Sequence, residues 1–377
     1  MAALASAQHL RCAQAARHSG VRRPLRCRAT AVEYTPVQEA QAALMSALFR
    51  VRPLFKLATA QARDMMQRRG ASIGVDWPTE VAALQRATDW ASARVAIEDS
   101  KLQYPAYYVA PFHAYDEGNL SWQAAWEVDV AARSVHAPVF DVAGAALDPD
   151  GDAKLRASFH AQAARLLRGR AAAPADALDL GCATGLSSRA LRAAHPSLRS
   201  LTGVDLSPYF LAVGAHLQAA RIAAGEAAPQ ITFRHAAAER TGLAAASYDL
   251  VSMCLVAHEL PQDATRAIFA EAFRLLRPGG ALQVRYTAKF LACRMHRADA
   301  QGACEQIMEM DPRSPILARV RSNPFAFTAF ASTEPYLKEY LSFPLEQALE
   351  DAGFEAPAQA PNSPRHRTVV AHKPAAH

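Results

Sequence analysis

Short apolar runs alternate with helical segments over the central part of the chain. The apolar runs predict five strands, at 177–182, 200–206, 231–236, 248–256 and 281–287. The segments between them have the spacing of apolar residues that is typical of helices. Such alternation is characteristic of an open α/β sheet with helices on both faces. The sequence therefore predicts a doubly wound, mainly parallel, Rossmann-like sheet.

The clearest of the predicted helices runs from Asp263 to Leu276. Its apolar residues recur at helical spacing, Asp263 is placed to cap its start, and the run 278–280 (PGG) ends it. A further helix is expected over 155–167, after the turn at 149–152, where it would lie beside the first strand.

The part of the chain that precedes the sheet has a helical pattern over residues 32–85, with a break at Pro53. An apolar stripe at helical spacing predicts a packing surface, and contact with a membrane surface stays open as an alternative. The stripe consists of Leu44, Leu48, Val51 and Phe55. No apolar run approaches the ~20 residues that cross a bilayer, so we predict no transmembrane segment.

The net charge of +6 comes from the first thirty residues, which carry six arginines and no acid. The remainder is therefore neutral, which argues against a nucleic-acid-binding face. An Ala-rich, Arg-rich and acid-free start is typical of an organellar transit peptide, with a merely disordered basic tail as the alternative. Composition does not separate a plastid from a mitochondrial destination.

Aromatic residues are concentrated between Tyr104 and Trp122, in a chain that is 8% aromatic overall. Pro105, Pro111 and Gly118 prevent this segment from forming one regular helix. Two interpretations stay open: a lid over a bound ligand, in which the rings exclude water or attract a cation, or a hydrophobic plug between two regions.

The stretch 177–188 predicts a strand, a glycine-bearing turn and the start of a helix, which is where α/β sheets bind nucleotides. Gly181 and Gly185 allow a sharp turn and a close approach of ligand to backbone. An acid, Asp179, ends the strand, and a second acid, Asp205, ends the next. A carboxylate disfavours a pyrophosphate and suits an ammonium group, and a second carboxylate can bind ribose hydroxyls. The pair fits an adenosine that carries an amino acid better than it fits NAD.

Four segments occur in the order and spacing of a known signature: 179–185 (DLGCATG), 204–208 (VDLSP), 248–251 (YDLV) and 275–280 (LLRPGG). Together they resemble class I S-adenosylmethionine-dependent methyltransferases of the type 11 kind. The resemblance implies a seven-stranded Rossmann-like methyltransferase sheet, with Gly353-Phe354 and 368–371 as its antiparallel final hairpin. It also implies S-adenosylmethionine as the cofactor.

The resemblance assigns cofactor roles residue by residue. Asp179 would face the methionine ammonium, Asp205 the ribose and Leu206 the adenine. The other implied cofactor residues are Gly181, Ala183, Gly185, Ala238, Glu239 and Val256. Two positions depart from the pattern. Ala183 stands where a glycine is usual, and Ala237 stands where an Asp usually binds the adenine amino group.

Candidate catalytic residues are His258 and Glu259, which close the fourth predicted strand. An imidazole there can act as a general base, can hydrogen-bond the cofactor carboxylate, can order a loop, or can be without a role, and Glu259 can orient it or cap a helix. A basic run, Arg365-His366-Arg367, can bind an acidic acceptor or simply be solvated. Six cysteines without C-x-x-C spacing give no reason to expect a metal site.

The organisation that follows is a transit peptide at 1–30, a helical region with the aromatic segment at 31–150, and a methyltransferase domain at 151–377 with an insertion at 289–337. Four further segments are similar to plastid and cyanobacterial methyltransferases, which favours the chloroplast but implies no substrate. They are 104–122, 258–261, 332–336 and 362–368. We expect a small, apolar or aromatic acceptor. A catalytically idle binding protein and a nucleic-acid methyltransferase stay open as alternatives, and the oligomeric state is open too.

Overall fold

A computed structural model of the protein describes residues 36–37, 40, 43–44, 52–111, 115–167, 173–226, 230–278, 303–323, 327–328, 330–331 and 334–375. The predicted transit peptide, residues 1–30, lies outside this part of the chain, as do Leu48, Val51 and the side chain of Phe55.

A seven-stranded sheet forms the centre of the described structure, in the spatial order β3-β2-β1-β4-β5-β7-β6. Its strands are β1 (Asp176–Leu180), β2 (Ser200–Asp205), β3 (Ile231–His235), β4 (Leu250–Cys254), β5 (Cys304–Met310), β6 (Glu355–Pro361) and β7 (His366–His372). Strands β1 to β5 are parallel, whereas β7 is antiparallel to both of its neighbours. The predicted seven-stranded, doubly wound sheet with an antiparallel final hairpin is confirmed.

Helices flank the sheet and form the region that precedes it. They are α1 (Arg52–Ser72), α2 (Trp77–Gln85), α3 (Trp90–Val95), α4 (Trp122–His136), α5 (Gly151–Leu166), α6 (Leu186–Ala194), α7 (Pro208–Ala223), α8 (Gln262–Leu275), α9 (Pro315–Arg321), α10 (Leu337–Ser342) and α11 (Leu345–Asp351). Helix α8 lies where it was predicted, but its N-cap is Pro261 and not an acid, so the capping role predicted for Asp263 is wrong.

The strands β1 and β4 are buried along their whole length, as expected where helices cover a parallel sheet. Leu178, Leu180, Val251 and Met253 are completely buried in one core cluster. A second layer forms where the N-terminal helices meet α7. There the ring of Trp90 lies 5.5 Å from that of Trp122, centroid to centroid. The N-terminal region is therefore attached to the sheet by aromatic packing.

The strand next to β4 lies in a different part of the sequence from the one predicted. β5 is 304–310, within the segment treated above as an insertion, and Leu250 pairs with Cys304 in its register. The segment 281–287, predicted to fill this position, lies outside the described residues. The prediction failed because two glutamates and a glutamine make 304–310 look unlike a buried strand.

The described segments that end at residue 278 and begin at residue 303 contact adjacent residues just before β4. Leu276 forms a parallel bridge with Tyr248, and the amide of Arg277 donates to the carbonyl oxygen of Tyr248 over 2.9 Å. The amide of Cys304 donates to the carbonyl oxygen of the next residue, Asp249, over 3.1 Å. The two ends of the intervening segment therefore share the same edge of β4.

Candidate functional site

A cavity of about 1260 Å³ opens at the carboxyl ends of β1, β2 and β4, the edge at which parallel α/β sheets bind ligands. Nine of the eleven predicted site residues line it: Gly181, Ala183, Asp205, Leu206, Ala238, Glu239, Val256, His258 and Glu259. Asp179 and Gly185 are not among the lining residues. Its volume exceeds the roughly 300–1,000 Å³ usual for small-molecule pockets, so there is room for two ligands.

The turn after β1 brings bare backbone to the cavity wall. Gly181 has φ +72°, and a Cβ built there would lie 2.6 Å from Cγ2 of Val256. The amides of Gly181 and Cys182 both donate to the carbonyl oxygen of Val204 in β2, at 2.8 and 3.1 Å. Glycine is therefore required at 181, for its backbone angle and for the space that Val256 occupies.

Ala183 adopts a backbone conformation that favours glycine, with φ +47°. Its amide donates to Oδ2 of Asp205 over 2.8 Å. The departure from the usual glycine is therefore accommodated at a cost in backbone strain of about 1–2 kcal/mol, and the hydrogen bond to Asp205 helps to hold it.

Gly185 has a packing role in this structure. It is the N-cap of α6 with φ +86°, and a Cβ there would lie 3.1 Å from the Phe233 ring and 3.3 Å from Ile231. The close approach at this glycine is thus to β3 and not to the cavity.

Asp179 lies completely buried behind the turn. Its Oδ2 accepts hydrogen bonds from the hydroxyls of Ser187 (2.7 Å) and Ser188 (2.6 Å) at the start of α6. Its Oδ1 has no hydrogen-bond partner among the described residues. Burial raises the pKa of this carboxyl to about 6, against the lowering effect of the two serines. Because a buried carboxylate oxygen needs a donor, Oδ1 is suited to a cationic group or a water molecule.

Asp205 holds three parts of the site together. Its Oδ1 accepts from the amide of Ser207 at 2.8 Å and from the hydroxyl of Tyr108 at 3.4 Å, while Oδ2 accepts from Ala183. Burial raises its pKa, although the amides of Ser207 and Ala183 act in the opposite direction. Tyr108 therefore contacts the carboxylate that is predicted to bind the ribose.

The aromatic segment forms one wall of the cavity. Tyr107 and Tyr108 line it, and the Tyr107 hydroxyl donates to Glu239. The Tyr104 hydroxyl lies 3.3 Å from Nε2 of His235. Each of these three tyrosines therefore makes one hydroxyl hydrogen bond to a group at or just beyond the carboxyl end of β2 or β3. Its placement agrees with a cover over the cavity.

His258 forms a buried pair with Glu309 of β5. Its Nδ1 lies 2.8 Å from Oε2 of Glu309, and Oε1 accepts from the amides of Val256 and Ala257, at 2.7 and 2.6 Å. Burial by itself lowers the pKa of His258. The charge and hydrogen bond of Glu309 outweigh that effect, and the pKa is raised to about 10. The imidazole therefore holds its proton at neutral pH, and Nε2 is the nitrogen left for a ligand.

The basic run near the C-terminus is divided by the fold. Arg365 and His366 line the cavity, whereas the Arg367 guanidinium donates to Gln359 at 3.0 Å and lies 3.5 Å from Glu346. Arg367 therefore belongs to the packing of the final hairpin.

Sequence reasoning missed two acids that organise the site. Glu309 could have been found as a charge within an otherwise buried strand. Asp129 of α4 accepts from the Thr184 hydroxyl and from Arg189, the latter at 3.3 Å, and so ties the N-terminal region to the turn after β1. Nothing local to Asp129 in the sequence indicates this contact.

Among the described residues, no group of three or more His, Cys, Asp or Glu side chains is placed to hold a metal ion. In the same part of the chain, no helix has the length and apolar character that crossing a membrane requires. Cys182 and Cys254 are buried.

Part of the chain that lines this cavity matches a known protein family. Residues 177–280 match the family described as methyltransferase domain. The part of the cavity wall at the carboxyl ends of β1, β2 and β4 thus lies in a segment that matches a methyltransferase domain. A malonyl-[acyl-carrier protein] O-methyltransferase from Hahella chejuensis is 37% identical over 115 residues, which are 30% of this chain and 37% of that protein. The chain therefore spans little more than a third of that relative's length.

Solved structures share the fold at low similarity. Phosphoethanolamine N-methyltransferase 2 of Haemonchus contortus, with S-adenosyl-L-methionine, is 15% identical, covers 57% of this chain and 51% of its own, and has a TM-score of 0.39. Human N-acetylserotonin methyltransferase, also with the cofactor, is 12% identical over 82% of this chain and 70% of its own, with a TM-score of 0.41. Scores at this level carry no functional argument.

The matched methyltransferase-domain segment contains only part of the cavity. All eleven predicted site residues fall within it, since they run from Asp179 to Glu259. Glu309, Arg365, His366 and the tyrosines of the aromatic segment lie outside it. The remaining walls therefore come from parts of the chain outside the matched segment.

Proposed function

We propose that the protein is an S-adenosylmethionine-dependent methyltransferase that acts on a small acceptor. One observation carries this proposal: the glycine turn after β1, the acid that ends β2 and the histidine after β4 line a single cavity. All three, Gly181, Asp205 and His258, belong to the segment that matches a methyltransferase domain.

The cavity has the groups that this cofactor needs. Gly181 supplies bare backbone, Asp205 supplies a carboxylate for ribose hydroxyls, and Leu206 supplies an apolar surface for adenine. The buried Oδ1 of Asp179, which has no partner among the described residues, is suited to the charge of the methionine ammonium, directly or through water. Ala237 is absent from the lining residues, so adenine would be held by backbone and apolar contacts. The bound cofactor supplies an activated methyl group, and the protein aligns it with the acceptor and excludes water.

His258 and its buried partner would position the acceptor. Because Glu309 keeps the imidazole protonated at neutral pH, His258 would donate a hydrogen bond through Nε2 and would not act as a general base. Glu259, on the same turn, lines the cavity beside it. The adjoining wall is apolar, with Val139, Ile316, Leu317, Val320 and Phe330. These contacts favour an acceptor with an apolar or aromatic body.

Binding of S-adenosylhomocysteine to the leader-free protein, measured by calorimetry, tests the proposal. We expect one site per chain, and NAD should not bind. A folded protein that binds no S-adenosylhomocysteine would contradict the proposal. Binding without methylated product, in an extract supplied with labelled donor, would instead favour an idle binding protein, for which Ala237 is the one hint. Salt-dependent RNA binding would favour a nucleic-acid methyltransferase.

We propose in addition that residues 1–30 direct the protein to the chloroplast. The support is the acid-free, arginine-rich composition of this segment and the similarity to plastid methyltransferases noted above. Import of the labelled full chain into isolated plastids and mitochondria, followed by detection of a shortened product, distinguishes the two organelles.

A further inference from the structure

The end of the cavity near the final hairpin contains an arginine that lacks an acidic partner. Arg365 lines the cavity, and among the described residues no carboxylate lies within 4.0 Å of its guanidinium. Its Nε is buried and has no hydrogen-bond partner there. Its Nη2 makes one long hydrogen bond, 3.4 Å, to the carbonyl oxygen of Pro138. Arg365 is half-buried as a whole, and a guanidinium whose Nε is withdrawn from water without a partner favours an anion beside it.

The backbone fixes this side chain in place. The amide of Asp311, just beyond β5, donates to the carbonyl oxygen of Arg365 over 2.9 Å. The amide of Arg365 donates to the Ser363 hydroxyl over 3.1 Å. Arg365, the last residue of the turn between β6 and β7, therefore has its main chain fixed against the end of β5.

Arg69, Asp141 and His366 lie close enough to Arg365 to interact with it electrostatically. The pKa of His366 lies well below its ordinary value, first because of burial and then because of His136, His258 and Arg365. Asp141, the acid that acts on Arg365 electrostatically, is bound by the amides of Ala143, Ala145 and Ala146 in its own loop. Three other basic side chains near this end have acidic partners already. Asp152 binds both His136 and Arg156, and Glu309 binds His258.

We propose that Arg365 binds a carboxylate of the acceptor, so that the substrate is a small organic acid with an apolar body. This inference rests on the proposed function and names its substrate class. The planar fork of a guanidinium matches a carboxylate. A single unpaired guanidinium balances one negative charge, and Glu259 and Glu334, which line the same cavity, would repel a phosphate dianion. The apolar wall of Ile316, Leu317 and Val320 would hold the body.

Calorimetry on the full chain saturated with S-adenosylhomocysteine tests the inference. The probes are 3-phenylpropanoate, 4-hydroxycinnamate and octanoate, each beside its primary amide, together with phenyl phosphate. We expect at least one acid to bind about tenfold or more tightly than its amide, as a charge-assisted hydrogen-bond pair is worth about 1.5–3 kcal/mol. Arg365→Gln should remove the preference and Arg365→Lys should keep part of it.

Arg319→Gln is the matched control, because Arg319 is exposed on α9 and absent from the cavity wall. It should leave the preference unchanged, and all variants should keep the affinity for S-adenosylhomocysteine. Equal binding of acids and amides, no binding of any acid, preference for phenyl phosphate, or an undiminished preference in Arg365→Gln would each overturn the inference. Failure of S-adenosylhomocysteine itself to bind would instead overturn the proposed function.

Discussion

The two halves of the cavity are built in different ways. The cofactor half is made of turns that directly follow β1 and β2, and its main contact, from the Ala183 amide to Asp205, joins two neighbouring strands. The acceptor half depends on Glu309 and Arg365, which come from β5 and the last hairpin. The first half is held by backbone amides, whereas the second is built from charged side chains, of which His258 and Glu309 are paired and Arg365 is not.

The two halves should therefore tolerate different substitutions. A site made of backbone and glycine binds a fixed ligand shape and is sensitive to any added Cβ. A site made of side chains on distant strands can change its ligand by single substitutions, provided that its buried charges stay paired. We therefore expect changes in the first half to abolish cofactor binding, and changes in the second to alter stability and acceptor choice.

The largest effect on cofactor affinity should come from Asp205→Ala. We expect a loss of about 100-fold or more for S-adenosylhomocysteine, because two hydrogen bonds to a charged group are removed. Calorimetry measures it, and thermal unfolding verifies that the variant is folded. Asp249→Ala is the matched control, since Asp249 binds Arg277 and the amides of Ala175 and Asp176 at the opposite end of β4. An unchanged affinity in Asp205→Ala would refute the ribose assignment.

Glu309→Gln should have the largest effect on stability, about 3–5 kcal/mol at pH 7, because it leaves the protonated His258 buried without its partner. The same change should move the pKa of His258 from about 10 toward its ordinary value, with Glu259 and Glu334 still nearby. A raised folded-state pKa stabilises the protein fully below the unfolded value of 6.5, and this stabilisation is lost as pH rises through 10. The loss of stability caused by Glu309→Gln should therefore become smaller as the pH rises from 6.5 to 10.

Denaturant unfolding at several pH values and NMR titration of labelled histidine check both statements. Glu305→Gln is the control in the same strand. Glu305 is completely buried and lacks a hydrogen-bond partner among the described residues, and burial raises its pKa well above the ordinary value. Because burial favours the neutral form of this carboxyl, replacing it with a neutral amide should have little effect. Equal costs for the two variants would contradict the pairing.

The two glycines of the first turn should separate binding from folding. Gly181→Ala should lower the free energy of unfolding by about 2–3 kcal/mol and weaken the binding of S-adenosylhomocysteine, because the new Cβ displaces Val256 at the cavity wall. Gly185→Ala should cost about 1–2 kcal/mol, from its positive φ, and leave the affinity unchanged. Unfolding and calorimetry on both variants test this. If Gly185→Ala weakened binding as much as Gly181→Ala, the packing role of Gly185 would be wrong.

The smallest effect should follow removal of residues 281–302. The described chain on either side of this segment bonds to Tyr248 and Asp249, which are adjacent, so the connection that remains has only a short distance to span. Stability should be unchanged or higher by up to about 2 kcal/mol, because a shorter connection costs less closure entropy. Cofactor affinity should stay the same. A variant that fails to fold would show that the segment contributes to the sheet.

Sequence patterns predicted most of the fold and the first half of the site. The strands at β1 to β4 are short apolar runs, and the glycine turn with its acid is a local signal. The same reasoning misplaced β5, since 304–310 contains Glu305 and Glu309, and a buried carboxylate in a strand is exceptional without a partner. The partner of Glu309 is His258, and that pairing depends on strand register, which no local pattern reveals.

By itself, then, the sequence determined the doubly wound sheet, the bare turn after β1 and the acid at the end of β2, because each is fixed by residues that are near one another in the chain. Only the tertiary structure decided that Asp179 and Gly185 lie behind the cavity wall, that Glu309 keeps His258 protonated, and that Arg365 reaches the cavity while Arg367 does not. Burial and charge pairing arise between strands that are distant in sequence, and they set which groups a ligand can touch.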